Sequence, residues 1–403
     1  MTDFIPTQTG ALSGVRVLDM ATFIAGPFCA GLLAEFGADV IKIEQPGAGD
    51  SLRELGEKVN DRALFWALED RGRRSVTCNL RVERGQALAL ELIKQSDIIV
   101  ENFRPGTLER WNLGYERMRE VNPGVILVRV SAYGQTGPYS DRPGFGRIAQ
   151  AFGGLTYLAG FPDRPPVLPG SATLADYAAG LFSALAALAA KHHRDRTGEG
   201  QQVDVSLYES IFRFCDVLAL AYDSLGIVRE RKGSAAHAAP HNHYPTGDGK
   251  WIAIACTNDR IFRRLAACMG QPSWGTDPAF DTMEKRSANR VEVDARVSAW
   301  TSTMPMSELR EMLDAAEVPT SPIYSIQDAF EDPQYQARGT LQQVNDPVIG
   351  PVMMPAPVPR LSLTPTAVQR PAPAVGEHNE EIYGGLLGVS AEDLEGLRAE
   401  GVI

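Results

Sequence analysis

Val15-Arg-Val-Leu-Asp-Met20, a helix-like run opened by Gly26-Pro27 and stopped by Gly37, and Asp39-Val-Ile-Lys-Ile-Glu44 together decide the fold. The first and third pieces read as short strands, rich in Val, Ile and Leu. Between them Cys29, Leu32, Leu33 and Phe36 recur at helical spacing, and the glycine ends the helix. Pro46-Gly47-Ala-Gly49-Asp50 supplies the next turn. The same alternation continues with a strand over 75–80, a helix over 84–95, a strand over 97–100, short helices over 107–111 and 115–121, and a strand over 125–130. Apolar strands alternating with amphipathic helices imply a parallel sheet covered on both faces, so the expected class is α/β.

Outward from this core, residues 145–195 read as mostly helical, 201–205 as a strand and 207–225 as one helix. Residues 226–245 read as a break, and Trp251-Ile-Ala-Ile-Ala255 begins a second unit that closes on the strand 321–324. A chain of 403 residues exceeds one simple core. The expected division is 1–225 as a large domain, 226–330 as a smaller α/β domain, and 331–403 as an arm with C-terminal helices. Eight prolines fall between Asp346 and Val375, which excludes helix and predicts a stiff, extended arm. Its apolar residues want burial, either across a partner subunit or around the arm's own subunit. The end reads as a helix from Glu380, the turn Gly388-Val-Ser390, and a last helix capped by Ser390.

Composition narrows the function classes. A net charge of -11 argues against nucleic acid or an anionic membrane as the partner, so an anionic ligand would need local basic residues. Five widely spaced cysteines with no Cys-x-x-Cys pair read as reduced thiols of a cytoplasmic protein. Met1–Gly10 carries no leader-like apolar run. The run Ala178–Ala190 is too short and too rich in alanine to span a bilayer.

One carboxylate stands out. Asp176 is the only charged residue between Arg164 and Lys191, at the head of a helix of small residues. As an N-cap it would face the positive end of the helix dipole and stay ionised in a dry place, where a carboxylate can attack an acyl carbon. Asp is also among the commonest structural N-caps, so the segment alone leaves both readings open. Arg71, Arg73, Arg74, Arg81 and Arg84 flank one strand, and Arg104 and Arg110 follow another, where ligands of parallel sheets bind. His241 and His243 lack a nearby Asp, Glu or Cys, so a loop without metal is favoured there. No G-x-G-x-x-G, P-loop or G-x-S-x-G motif occurs.

Leu12-Ser-Gly14-Val-Arg-Val-Leu-Asp19, Ala25-Gly-Pro27, Leu33-Ala-Glu-Phe-Gly-Ala38 and Val100-Glu-Asn-Phe-Arg-Pro-Gly106 resemble the class III CoA-transferases. Tyr133-Gly-Gln-Thr-Gly-Pro138, Thr197-Gly-Glu-Gly-Gln201 and Gly376-Glu-His378 carry the likeness nearly to the end. This family includes the formyl-CoA, carnitine and bile-acid CoA-transferases, with the 2-methylacyl-CoA racemases as cousins. The resemblance implies a Rossmann-like large domain built from both chain ends, a small middle domain, and two subunits interlocked like links. The partner would be an identical or a paralogous subunit. The resemblance puts the catalytic residue on Asp176. It puts CoA contacts on Ile24, Ala25, Gln45, Cys78, Asn79, Leu80, Arg81, Asn102, Phe103, Arg104, Arg110, Phe145 and Gly146, within the wider stretch Pro143–Gly146. Gln45 departs from relatives that carry Arg there. No glycine-rich loop is evident over Asp176, the corresponding region being Lys232–Pro240.

The implied reaction moves CoA between carboxylic acids through an acyl-aspartyl anhydride and an aspartyl-CoA thioester, with no metal and no permanently bound cofactor. Amides near Gly153-Gly154 and the helix start would serve the oxyanions. A succinyl-CoA donor and malate or a related dicarboxylate acceptor is the expected pair, with Arg53, Arg62 or Arg147 for the distal carboxylate. Racemases use a His-Asp pair where this chain has Phe145 and Gly146, neither of which moves a proton. A CoA-ester binding protein without turnover is the other class.

Overall fold

The computed structural model describes residues 10–403, so the reading of Met1–Gly10 lies outside the described residues apart from Gly10 itself. The chain separates into two compact units. One gathers residues up to 157, 168–228 and 339–403. The other gathers 158–167 and 229–338.

The first unit is built on a six-stranded parallel sheet. Its strands are β1 (Arg16–Asp19), β2 (Asp39–Glu44), β3 (Arg73–Thr77), β4 (Ile98–Glu101), β5 (Ile126–Ser131) and β6 (Gln202–Ser206). They lie in the order β3-β2-β1-β4-β5-β6. All five pairings are parallel. In chain order this is 3-2-1-4-5-6, the doubly wound arrangement whose direction of winding reverses between the first and fourth strands. The inner strands β1, β2, β4 and β5 are buried almost throughout, as a sheet covered on both faces requires.

On one face pack α1 (Ala25–Glu35) and α2 (Leu174–Thr197), around Val17, Val100, Val128, Leu33 and Ala179. The small residues of α2 serve this contact. A side chain at Gly180 would stand 2.8 Å from the Ala25 carbonyl, so the two helices approach backbone to backbone. By length and composition α2 would also suffice to cross a membrane, but half of its apolar window is buried in this core. The other face is covered by the helix Glu83–Lys94 and by Leu394, Leu397, Val402 and Ile403. The C-terminal segment also clips β3: Gly376 N–H donates to Ser75 Oγ (2.9 Å), Tyr383 Oη to the Thr77 carbonyl (2.8 Å), and Asn79 N–H to the Val402 carbonyl (2.8 Å).

Several expectations need correction. The N-cap of α2 is Thr173, so Asp176 is a first-turn residue and not the cap. Residues 207–225 form two helices, Leu207–Phe212 and Leu218–Leu225, broken near Asp216, whose φ is +56°. The proline-rich arm opens as a β-ribbon, Leu341–Asp346 against Gly350–Pro355. Pro351 and Pro355 share one parity of that ribbon. Ala356, of the opposite parity, donates its N–H across to Thr340, so both prolines fall where the missing N–H would point outward. The ribbon buries Val344 and Met354 on Ala67 of its own chain, and Arg62 holds Asp346 at 2.8 Å.

The second unit carries a three-stranded antiparallel sheet, Thr320–Pro322, Trp251–Ala255 and His241–Pro245 in that order. His241–Pro245 is therefore a strand inside the predicted break. It owes its conformation to pairing with Trp251–Ala255 and not to any local pattern. Its core gathers Phe262, Trp274, Val297 and Leu309.

Candidate active site

A cleft of about 120 Å³ opens at the carboxyl ends of β1, β4 and β5, where the winding reverses. Thr22, Phe23, Ile24 and Ala25 after β1, Asn102 after β4, and Ser131 and Ala132 at the end of β5 line one part. Gly144, Phe145 and Asp176 line another. The cleft thus brings together Asp176, Ile24, Ala25, Asn102 and Phe145 from the sequence-predicted set.

Asp176 sits in the first turn of α2, half-buried. Burial pushes its carboxyl up to about 7; only its own backbone N–H works the other way, and no neighbouring cation lowers it. This carboxylate is poorly solvated, so burial opposes the ionised form that the cap reading expects. Gly146 makes room for it: a Cβ there would collide with Asp176 Oδ2 and stand 2.8 Å from the Ala172 carbonyl. Gln150 steadies the approach to the helix by donating Nε2 to the Ser171 carbonyl at 3.1 Å. Phe145, 69% exposed, faces the ring of Phe23 edge-on at 6.4 Å across the mouth.

Asn102 spends its amide on the protein: Oδ1 accepts from Thr22 N–H (2.8 Å) and Nδ2 donates to the Thr22 carbonyl (2.6 Å). Phe103 packs edge-on against Trp111, its N–H donating to Glu101 Oε2 at 2.8 Å. The remaining predicted contacts lie outside the cleft lining. Gln45 is exposed after β2. Cys78 and Leu80 are core residues, and burial pushes the Cys78 thiol up to about 12, so neither offers a side chain to a ligand. Asn79 is half-buried and accepts from Arg81 N–H. Arg81, Arg104 and Arg110 are exposed.

Most of the grouped arginines are structural. Arg71 pairs with Glu35, Arg73 with Asp70, Arg74 with Asp39 and Glu381, and Arg84 with Glu400. Arg53 is tied to Glu44 at 2.7 Å over the Trp66 ring, and Arg62 to Asp346, so neither is spare for a distal carboxylate. Arg147 is exposed one residue after Gly146. The Gly153 and Gly154 amides donate to the Ala149 and Ala151 carbonyls and are not turned to an oxyanion.

Sequence reasoning missed a buried ionic cluster beneath the turn after β1. Lys42 Nζ lies 2.9 Å from Asp50, 3.6 Å from Asp19 and 3.7 Å from Asp70, all buried. The available signal was a lysine between the two isoleucines of β2, a residue type almost never fully buried unless paired. Among the described residues no group of three metal-ligating side chains forms around His241 and His243 or elsewhere.

The model of CoA-transferase family III matches residues 12–379. A succinyl-CoA–D-citramalate CoA-transferase of Chloroflexus aurantiacus is 45% identical over 97% of this chain and 98% of its own length. The beta subunit of a succinyl-CoA–L-malate CoA-transferase from the same organism is 46% identical over 98% and 99%. Among solved structures, a CaiB/BaiF family protein from Brucella suis superposes with a TM-score of 0.82 at 33% identity, covering 94% of this chain and all of that one.

Proposed function

The chain belongs to CoA-transferase family III, and from that footing we propose that it carries CoA from succinyl-CoA to malate or a related dicarboxylate, with Asp176 as the nucleophile. The observation that carries the reading is Asp176 itself. It is a half-buried carboxylate with no cation to neutralise it, on the wall of the cleft where parallel sheets take their ligands. Poor solvation makes its ionised form reactive toward an acyl carbon. Its oxygen attacks the thioester carbonyl, the C–S bond breaks, and an acyl-aspartyl anhydride and CoA thiolate result. The thiolate attacks the aspartyl carbonyl, releasing the donor carboxylate and leaving aspartyl-CoA thioester. The acceptor carboxylate attacks that thioester to give a second anhydride, and returning thiolate takes the new acyl group and frees Asp176. One thioester replaces another, so the sequence needs neither ATP nor a metal, and no cofactor beyond the CoA of the substrate.

With the Gly153-Gly154 amides occupied, first-turn amides of α2 are the donors this reading assigns to the oxyanions, each worth about 3 kcal/mol in comparable sites. CoA would run over the first turn of α1 at Ile24 and Ala25, past Asn102 and Phe103, with Arg81, Arg104 and Arg110 for its phosphates and Phe145 and Gly146 beside the thioester. Arg147 is the basic residue left for a distal carboxylate. The dicarboxylate assignment draws on the activities named for the two Chloroflexus relatives. An interlocked dimer is part of the proposal, and the alpha and beta subunits named for the malate enzyme support a paralogous partner as one form of it. Five unpaired cysteines fit a cytoplasmic setting.

The test is a CoA-exchange assay with succinyl-CoA and a panel of free acids, read by mass spectrometry, with hydroxylamine trapping of the intermediate. Label on Asp176 and a new dicarboxyl-CoA product are expected. Label on another residue, or no product across the panel, overturns the reading.

A further inference from the structure

Phe23 has φ +68°, in the left-handed region that bulky residues avoid. It lies in the turn Ala21–Ile24, which joins β1 to α1 and whose Thr22, Phe23 and Ile24 line the cleft with Asp176. Such a conformation persists only where its surroundings over-determine it. Here they do, residue by residue. Ala21 N–H donates to Asp19 Oδ1 (3.1 Å), and the Ala21 carbonyl accepts from Lys42 Nζ (3.0 Å). Thr22 is held through both its N–H and its carbonyl by Asn102. Phe23 N–H donates to both Asp50 oxygens, at 3.1 and 3.3 Å.

Asp50 is itself immobilised. It accepts from Leu52 N–H at 2.9 Å, and its own N–H donates to Glu44 Oε2 at 2.9 Å. Lys42, fully buried, closes on it at 2.9 Å. Burial alone would raise the Asp50 carboxyl, but Lys42 and the backbone donors hold it below the usual carboxylate range, so it remains a charged acceptor. The end of β2 and the turn after it therefore grip the turn after β1.

We propose that Asp50, locked by Lys42, is a positioning residue that holds Phe23 in its left-handed conformation and so aims the start of α1 along the cleft wall to receive the CoA moiety. This rests on the CoA-transfer reading. Released from Asp50, Phe23 would relax to negative φ and carry Ile24 and Ala25 out of line. Its ring would also leave Phe145, whose neighbour Gly146 abuts Asp176.

The experiment is a double-mutant cycle on the full chain, with free CoA binding measured by calorimetry and succinyl-CoA turnover alongside. Asp50→Asn should weaken CoA binding about tenfold and raise KM for succinyl-CoA to match, while kcat at saturation changes less than about threefold. In a Phe23→Gly background, where positive φ carries no penalty, the same change should cost less than about threefold. Equal costs in both backgrounds, or a loss confined to kcat, overturn the proposal. If Asp50→Asn does not fold, Phe23→Gly against Phe23→Ala decides. A higher melting midpoint and tighter CoA binding for the glycine variant support the clamp, and identical behaviour overturns it. Failure of the unaltered chain to bind CoA overturns the transfer reading and this one with it. CoA binding that Asp50→Asn leaves intact overturns this one alone.

Discussion

Asp50 and Asp176 are both aspartates withdrawn from water around one cleft, and their surroundings give them opposite characters. Asp50 shares Lys42 with Asp19 and Asp70, accepts two backbone amides, and titrates below the usual range. Asp176 has no cation, and burial drives it up to about 7. Neutralised buried charge makes architecture, whereas unneutralised buried charge is a standing cost that persists where chemistry uses it.

The sharpest way to break this contrast is Asp176→Ala, which should lower CoA transfer by on the order of 10⁴-fold while CoA affinity measured by calorimetry stays within a few-fold. Residual transfer near the unaltered rate would move the chemistry elsewhere. Lys42→Met attacks the other partner. It leaves Asp19 and Asp70 with Arg73 alone and Asp50 without its cation, and should cost about 3–5 kcal/mol of stability in urea unfolding at pH 7. A change within experimental error would show that the buried cluster contributes no net stability.

Gly146→Ala tests whether Asp176 needs its space: the added methyl meets Oδ2, and transfer should fall about 10- to 100-fold with unfolding little changed. On the pH axis, kcat/KM should fall about tenfold per unit below pH 7, because the anion is the attacking form. A limb near pH 4 would show that the carboxyl is not raised.

The smallest effect concerns stability. The folded pKa of Asp176 lies above the ordinary value of 3.8, so the unfolded chain ionises first, and stability is lost as pH rises from about 4 to 7. Asp176→Asn removes that loss. Discounted for partial solvent access, the gain should be about 1 kcal/mol at pH 8, shrinking toward pH 4.5. An equal gain at both pH values would assign it to something other than ionisation.

Much of the contrast could be read along the chain, because half of it is local. Asp176 announces itself as a lone charge in a long apolar run, and the strands of the sheet show as short apolar runs separated by helical spacing. The rest is set at a distance. Lys42 reads as an oddity in a strand until the fold brings Asp19, Asp50 and Asp70 from three other segments to its tip. The left-handed Phe23 has no local signal, since asparagine or glycine would ordinarily mark such a position. The true cap, Thr173, makes no side-chain cap bond, so the usual N-cap preference pointed to the wrong residue. His241–Pro245 becomes a strand only through its neighbour.

The clip of residues 376–403 onto β3 bears on how the chain is born. The apolar face of the sheet beneath Leu394, Leu397, Val402 and Ile403 is emitted from the ribosome with β1 to β5, yet its cover follows some 270 residues later. At ordinary translation speed that interval lasts roughly tens of seconds. Throughout it the nascent sheet offers an uncovered greasy surface, a natural customer for a chaperone that captures unfinished chains.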